Sequence, residues 1–441
     1  MVEAILGGGM SDLLAARSQM AVSLAFHILF AVAGIAMPLF MVLAEARWLR
    51  RGDATCLELA KRWARGTAIL FAVGAVSGTV LSFELGLLWP RFMEWAGPII
   101  GMPFSLEGFA FFTEAIFLGI YLYGWDRVSP RAHLASGVIV ALSGAISGVF
   151  VVIANAWMNT PTGFRLVNGV AQDVDPLAAM RNPAAFSQCL HMTLAAYAAV
   201  GFCVAGIHAA KLLRDRESAF HRRALAIAFG VGAVASVAQP LSGDVLARMT
   251  ARTQPVKLAA MEGQFATERG APLRLGGLPD EAARETRYAL EIPRGLSLLA
   301  FHDPHAEVPG LTAFPETLWP PVAIVHLAFQ VMVGAGTALA ALAVWGGWLA
   351  LRRRLFGSRR FLRALVLASP LGLLAIEAGW TVTEVGRQPW IIQGVLRTAD
   401  AVTPMPGLVV PFLLFTGLYF FLAVIVLWLL ARQVAASPAG R

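Results

Sequence analysis

Charged residues and cysteines are both scarce in this chain. Asp, Glu, Lys and Arg make up 14% of its 441 residues, whereas 58% are hydrophobic, and the mean hydropathy is +0.67. This composition excludes an ordinary soluble domain and is typical of a polytopic membrane protein. Cys56, Cys189 and Cys203 lack metal-ligand spacing, which excludes a disulfide framework, a zinc site and an iron–sulfur site.

The sequence also lacks the pattern of a cleavable signal peptide. Residues 1–18 contain Glu3, Asp12 and Arg17, have no basic n-region and run directly into an apolar segment. No internal repeat of the solenoid kind is visible. We therefore expect the first apolar segment to be a membrane span.

Nine apolar stretches are long enough to cross a membrane as helices. At about 1.5 Å per residue, about 20 residues cover a core ~30 Å thick. The predicted spans lie near 19–43, 66–89, 104–124, 133–154, 187–211, 222–242, 320–350, 362–383 and 408–431. The sequence thus predicts one all-α polytopic membrane domain over residues 1–441, with about nine transmembrane helices.

The net charge of +8 does not indicate a nucleic-acid partner, because the basic residues cluster in alternate short loops. These clusters are Arg47, Arg50, Arg51, Lys61, Arg62 and Arg65 after span one; Lys211, Arg214, Arg216, Arg222 and Arg223 after span five; and Arg352, Arg353, Arg354, Arg359, Arg360 and Arg363 after span seven. Positive loops face the cytoplasm. We therefore expect the N-terminus outside, the C-terminus in the cytoplasm, and a lipid bilayer as the surroundings.

One connection is much longer than the others. Residues 244–319, between spans six and seven, are polar, and a loop of that length is either functional or disordered. Leu258, Met261 and Phe265 recur at helical spacing, which favours order. The predicted topology puts this loop on the outer side.

Two histidines lie inside predicted spans, His27 in span one and His191 in span five. Each is either a metal ligand or a structural residue bonded to a neighbouring helix. Met332 in span seven offers a sulfur that, with His191, would make a six-coordinate electron-transfer haem, although methionine usually packs cores. His191 and His208 lack a matching pair on another helix, which excludes a two-haem cytochrome b.

In each of two pairs of glutamates, the two residues are seven positions apart in the sequence. On a helix, the members of such a pair project from the same face and lie about 10 Å from each other along the axis. Glu107 and Glu114 in span three indicate a proton relay, or else two unrelated hydrogen bonds. Glu377 and Glu384 close span eight. Ser147 and Asn155 in span four are weaker candidates for the relay, and Glu84 in span two suits a structural role.

The second pair surrounds Trp380, and Arg387 follows Glu384 by three residues, within reach of an ion pair. An exposed pair contributes little stability. A carboxylate in a dry pocket would instead ligate a metal or haem iron, with Trp380 at its edge.

Taken together, the sequence resembles subunit I of the cytochrome bd family of quinol oxidases, from about Arg17 to Tyr419. The motifs that carry the resemblance are R-x-Q-x7-H (Arg17, Gln19, His27), EG-x-AFF-x-E (Glu107 to Glu114), GWDR (Gly124 to Arg127), ANAWM (Ala154 to Met158), KLAAME (Lys257 to Glu262) and GW-x3-E-x-GRQPW (Gly379 to Trp390).

The resemblance implies three haems. His191 and Met332 match the axial ligands of a low-spin haem b. His27 and Glu384 match ligands at two high-spin positions, which hold a haem b and a haem d or a third haem b. Trp380 matches an aromatic residue between haems, and Arg17 and Arg387 resemble arginines near haem carboxylates.

It also implies the substrate and proton sites. Lys257 and Glu262 match residues that interact with quinol, while Glu107, Glu114 and Ser147 match a proton path. The expected activity is quinol oxidation outside the membrane and reduction of oxygen to water, giving a proton gradient without pumping. The expected location is a bacterial inner membrane. A second subunit is implied as partner, and small single-span accessory subunits stay open.

The chain departs from the family pattern at two places. Gln330 stands where the family commonly has Arg, and the 244–319 loop is short, as in the branch with the cyanide-insensitive oxidases. Two other functions are alternatives at this point. A proton-coupled secondary transporter predicts inverted repeats and interrupted helices around a midplane site, and a haem-binding assembly or sensor subunit predicts haem without turnover.

Overall fold

The computed structural model describes residues 10–435. Within that range, nine helical segments are long and apolar enough to cross a membrane. They are α1 (Asp12–Arg51), α2 (Ala54–Leu88), α3 (Pro90–Tyr123), α4 (Pro130–Asn159), α6 (Ala185–Arg214), α7 (Ala219–Thr253), α10 (Val322–Leu351), the pair α11 (Arg359–Ala368) and α12 (Leu371–Val385), and α14 (Val409–Ala435). The predicted all-α membrane fold is confirmed. Of residues 1–18, which lack the pattern of a cleavable signal peptide, the first nine lie outside the described range.

The helices extend beyond the predicted spans. The third helix begins at Pro90 rather than near 104, and α7 runs to Thr253 rather than 242. Residues 244–253 are therefore helical, the connection after α7 starts at Gln254, and the predicted extracytoplasmic loop over 244–319 stays a prediction. A hydropathy window sees only the part of a helix inside the lipid, whereas backbone hydrogen bonding continues into polar turns.

Local sequence explains several helix ends. The hydroxyl of Ser11 accepts a hydrogen bond from Leu14 N at the start of α1, and Gly52, with φ of 65°, ends it. Span eight is interrupted between α11 and α12 at Ser369–Pro370, because proline cannot donate the backbone hydrogen bond that helix continuation needs.

The described chain forms two compact units. The first contains residues 10–148, 217–223 and 399–435. In it, α1 packs against α2 and α14, and α2 packs against α3. The second contains residues 149–216 and 224–398, where α12 packs against α10 and α6. The prediction of a single membrane domain stays a prediction.

Glycines permit close helix contacts in the second unit. A Cβ on Gly201 of α6 would lie 2.6 Å from Gly232 Cα of α7, closer than side chains allow. The two backbones therefore touch at this point. Such contacts between small residues are a common way for membrane helices to pack.

The long connection is an ordered subdomain of the second unit. It contains α8 (Pro255–Glu262), α9 (Gly295–Phe301) and three antiparallel strand pairs: β3 (Glu268–Arg269) with β8 (Glu307–Val308), β4 (Leu273–Leu275) with β7 (Leu290–Ile292), and β5 (Leu278–Asp280) with β6 (Glu285–Arg287). Leu258, Met261 and Phe265 are buried, as their spacing predicted, although Phe265 lies beyond the end of α8.

Short elements complete the described chain. The strand pairs β1 (Arg165–Val167) with β2 (Val170–Gln172) and β9 (Trp390–Ile392) with β10 (Leu396–Arg397) are antiparallel, and the short helices are α5 (Pro176–Met180) and α13 (Thr398–Ala401).

Candidate functional site

The structure fixes the orientation of His27 in the first unit. Nδ1 of His27 lies 2.9 Å from Oγ of Ser77 on α2. That hydroxyl donates to Val73 O at 2.9 Å, so it accepts from the imidazole. The proton consequently sits on Nδ1 and leaves the Nε2 lone pair available to a metal. A Cβ on Gly78 would lie 2.9 Å from the ring, so this glycine makes room for it.

The same arrangement surrounds His191 in the second unit. Its Nδ1 lies 3.0 Å from Oγ of Ser242 on α7, and this hydroxyl donates to Gln239 O at 2.8 Å. Nε2 faces the Gln239 amide nitrogen at 3.1 Å. Nε2 of His191 is therefore also unprotonated and accepts a hydrogen bond from the Gln239 amide. A metal ion that binds the Nε2 lone pair would replace this hydrogen bond.

Met332 lies on α10, and its sulfur packs against α12. A Cβ on Gly379 would come within 3.0 Å of Met332 Sδ, so glycine is required for this approach. The helices that carry His191 and Met332, α6 and α10, both pack against α12. The thioether and the imidazole thus lie on two helices with a common neighbour in the same unit.

Glu384, at the end of α12, is held at both carboxylate oxygens. Oε1 accepts from the Asn155 side-chain amide and Oε2 accepts from the Arg387 guanidinium. The Arg387 side chain is 2% exposed and that of Glu384 is 28% exposed, so the ion pair is partly buried rather than the exposed surface pair that sequence spacing alone allows. Nε1 of Trp380, one turn earlier, is buried without a partner in the described part of the chain.

Lys257 and Glu262 are both buried on α8 rather than exposed in a mobile loop. The Lys257 ammonium donates to Asn159 Oδ1 at 2.6 Å and to Thr383 O at 3.3 Å. Burial, together with the positive charge of Arg387, lowers the pKa of Lys257 to about 7, while the negative charge of Glu384 opposes this shift.

The carboxyl of Glu262 lies in a dry setting at the end of α8. Burial, opposed by the Arg274 guanidinium, raises the pKa of Glu262 to about 8. Its Oε2 has no hydrogen-bond partner within residues 10–435. An unsatisfied buried carboxyl oxygen costs free energy, and such groups are frequent where a ligand binds.

Gln330, at the position where the resembling family commonly has Arg, anchors the long connection. Its amide oxygen accepts from Gly276 N at 2.9 Å and its amide nitrogen donates to Arg274 O at 3.0 Å. Arg274 then pairs with Glu291 and lies near Glu268. A positive charge is therefore present on the neighbouring β4 strand, although α10 itself lacks it.

The predicted proton-path residues meet in the first unit. Ser147 Oγ on α4 donates to Glu107 Oε1 on α3 at 3.1 Å. Glu114 is 4% exposed, with Oε1 unpartnered in the described range. A Cβ on Gly144 of α4 would lie 3.2 Å from the Glu114 carboxyl. The two carboxyls therefore face the same neighbouring helix.

The other polar residues of the first unit have separate positions. Arg17 is partly buried on α1. Glu84 accepts from Gln19 and Ser23, both at 2.9 Å. These bonds join α1 to α2 and support the structural role that the sequence indicates for Glu84.

Several partners escaped sequence analysis. Ser77, Ser242 and Gln239 orient the histidines, and Asn159 holds Lys257. A Ser-Gly dipeptide marks both serine positions, but the same dipeptide recurs at 136, 143 and 147, so it is not a specific signal.

The donors present suit haem iron. Imidazole, thioether and carboxylate are axial-ligand chemistries, and histidines with a fixed Nδ1 proton are typical of ligands. Nε and Nη1 of Arg387 are buried without partners in the described residues. A guanidinium with free donors matches a carboxylate such as a haem propionate.

Comparisons with known proteins agree with this chemistry. Residues 15–438 match the family described as cytochrome bd terminal oxidase subunit I. A Bacillus subtilis (strain 168) protein, provisionally named cytochrome bd menaquinol oxidase subunit I, is 38% identical over 97% of this chain and 98% of its own length. The cytochrome bd ubiquinol oxidase subunit 1 of the same strain is 32% identical over 96% of this chain and 94% of its own length.

A solved structure matches as well. The bd oxidase from Geobacillus thermodenitrificans superposes with a TM-score of 0.92 at 40% identity, covering 98% of this chain and 100% of that one. The similarity therefore extends over the whole membrane fold and the long connection.

Proposed function

Because the chain belongs to the cytochrome bd terminal oxidase subunit I family, we propose that it is the haem-carrying subunit that oxidises quinol on the outer side of the membrane and reduces oxygen to water, generating a proton gradient without pumping. Membership itself establishes a quinol oxidase of the respiratory chain that carries haem, crosses the membrane several times and works with a second subunit. A secondary transporter is thereby excluded.

The geometry of the two histidines carries the proposal. His27 and His191 each have Nδ1 tied to a serine hydroxyl that is itself committed to a backbone carbonyl. Both imidazoles therefore have an Nε2 lone pair that can bind a metal ion. Histidines that ligate a metal almost always donate their other ring N–H in this way, which supports iron ligation at both positions.

The ligand assignments follow from the donors. His191 and Met332 would hold a low-spin haem b, and His27 and Glu384 would serve two high-spin positions with a haem b and a haem d or third haem b. Bound haem supplies electron transfer and oxygen reduction. Arg387 and Asn155 orient the Glu384 carboxylate, while Arg17 and Arg387 offer guanidinium groups to haem carboxylates.

Lys257 and Glu262 would receive the quinol. A quinol hydroxyl needs a hydrogen-bond donor and a proton acceptor, and α8 presents an ammonium and a carboxyl that both change charge near neutral pH. The unpartnered Glu262 Oε2 is the natural acceptor. Trp380, one turn before Glu384 on α12, would pack against a haem.

Glu107, Glu114 and Ser147 would carry protons from the cytoplasm toward the oxygen-reducing site. Carboxyls buried on one helix face can take up a proton and pass it on, which is the usual role of such residues within membrane-spanning helices. Quinol protons leave outside and oxygen takes up protons from inside, so the reaction separates charge. The alternation of basic loops supports this orientation in a bacterial inner membrane.

The test is to purify the subunit with its partner and record reduced-minus-oxidised spectra and the pyridine haemochrome. Oxygen uptake is then measured with menaquinol and ubiquinol analogues, because the relatives are named for both. Haem signals with quinol-dependent oxygen uptake are the expected result. Haem without uptake would indicate a sensor or assembly subunit and contradict the proposal.

A further inference from the structure

A line of hydrogen bonds connects α8 to the end of α12 in the second unit. The Lys257 ammonium donates to Asn159 Oδ1 at 2.6 Å, and Asn159 Nδ2 donates to Asn155 Oδ1 at 3.1 Å. The Asn155 amide then donates to Glu384 Oε1. All three bonds run in the same direction, from a cation to a carboxylate.

The two ends dictate how the amides are turned. An ammonium only donates, so Asn159 must present its oxygen to Lys257. A carboxylate only accepts, so Asn155 must present its nitrogen to Glu384. Both constraints are met by one orientation of each amide, and hydrogen bonds aligned in this way polarise one another.

The central residue is well fixed. Asn159 is 1% exposed, its backbone carbonyl accepts from Gln254 Nε2 at 3.1 Å, and its side chain also donates to Asn155 O at 2.9 Å. On the other side of Lys257, a Cβ on Gly386 would lie 3.2 Å from the lysine Cγ. The lysine stem is therefore confined, and of the two acceptors of its ammonium, Asn159 Oδ1 at 2.6 Å is closer than Thr383 O at 3.3 Å.

Neither asparagine titrates, so this line holds groups in place rather than transferring protons. We propose that Asn159 is a positioning residue for quinol oxidation, which holds the Lys257 ammonium and joins it through Asn155 to Glu384. The inference rests on the proposed role of Lys257 toward quinol. It adds that the quinol-facing charge and the proposed iron ligand share one hydrogen-bonded support.

The experiment uses the intact two-subunit oxidase and a soluble quinol. Asn159→Leu keeps the number and branching of the side-chain heavy atoms but removes the bond to the ammonium, and a charged hydrogen bond is worth about a tenfold change in binding. We expect a KM for quinol about tenfold higher. Haem content by pyridine haemochrome should stay unchanged. Asn159→Asp, which still accepts from Lys257, should restore most of the KM.

A double-variant cycle separates positioning from general loosening. Lys257→Met should raise the KM, and adding Asn159→Leu should raise it no further, because the second change acts only through the first. Multiplying effects would overturn the inference. Asn182→Leu is the matched control, since Asn182 is 3% exposed and bonds to Thr160 instead; an equal rise in KM there would also overturn it.

The remaining outcomes separate the two proposals. If Lys257→Met raises the KM but Asn159→Leu does not, the inference is wrong and the role of Lys257 stands. If Lys257→Met has no effect, the assignment of Lys257 to quinol and the inference both fall. A lower thermal stability of Asn159→Leu with unchanged KM would assign Asn159 a structural role only.

Discussion

The hydroxyls of Ser77 and Ser242 do at two separate places what a carboxylate does in many metalloproteins. Each accepts a hydrogen bond from Nδ1 of a histidine and donates one to a helix carbonyl. A serine also avoids placing a second negative charge in an apolar setting. The imidazole is therefore oriented without an additional charge in the membrane.

Ser242→Ala should weaken the hold on the low-spin haem. Loss of an outer-shell partner typically costs about tenfold or more in metal affinity, so we expect a smaller low-spin signal per protein and a shifted midpoint potential. Spectra during redox titration measure both. Ser236→Ala on the same helix is the control, because the buried Ser236 hydroxyl has no partner in the described residues. Equal losses in both variants would contradict the assignment.

Quinol oxidation should depend on pH through Glu262. Because burial raises the pKa of Glu262 to about 8, this carboxyl is protonated below that pH and becomes a proton acceptor above it. The rate at low quinol concentration should therefore rise as pH increases toward 8. Glu262→Gln should abolish this rise, whereas Glu285→Gln, on an exposed hairpin, should keep it. A persistent rise in Glu262→Gln would count against the role.

Helix α3 carries three polar side chains at a spacing of seven residues. Glu107, Glu114 and Tyr121 occupy one face, and the carboxyls meet Ser147 and Gly144 of α4. Tyr121 packs against Gly137 of the same helix. Small residues on α4 thus allow bulky polar side chains of α3 to remain in the protein interior rather than in lipid.

Glu114→Gln should slow oxygen reduction by about a hundredfold, because the amide keeps the shape but cannot carry a proton. Quinol binding should change little. Oxygen uptake and membrane potential in proteoliposomes are the measurements. Glu84→Gln is the matched control, since that buried glutamate only joins α1 to α2. An unchanged rate in Glu114→Gln would make the carboxyl pair structural.

Sequence patterns predicted which helices are present better than they predicted where each helix begins and ends. The nine spans were visible because a bilayer of fixed thickness imposes apolar length. The turns that α3 and α7 add outside the apolar core, and the break at Ser369–Pro370, follow from backbone hydrogen bonding that hydropathy does not record. Helical spacing did reveal α8, whose end is set by Gly263 in the left-handed conformation.

For the whole molecule, the expected orientation leads to a vectorial test. Intact cells or right-side-out vesicles given quinol and oxygen should acidify the outer medium, with equal numbers of protons and electrons released by the quinol. An uncoupler should abolish the membrane potential but not the oxygen uptake. External alkalinisation would mean that the topology is inverted. More protons than electrons would mean that the enzyme pumps.

Candidate residues whose own type carries the chemistry, such as His27, Glu107 and Glu384, could be named from the sequence, and their roles stay predictions. The site was not predictable where a neutral residue acts through its neighbour. Ser77 is 50 residues from His27, and Asn159 is 98 residues from Lys257. Only the folded chain shows such pairs, because serine and asparagine are common and carry no motif of their own.

The contact of Gly201 with Gly232 sets a register. His191 precedes the first glycine by ten residues and Ser242 follows the second by ten, so on antiparallel helices both lie about 15 Å from the point where the backbones touch. The glycine contact therefore holds His191 and Ser242 at the same level along the two helices. One residue inserted between either glycine and its ten-residue partner would rotate that partner by about 100° around its helix axis. The histidine would then be separated from its serine although neither residue had been changed.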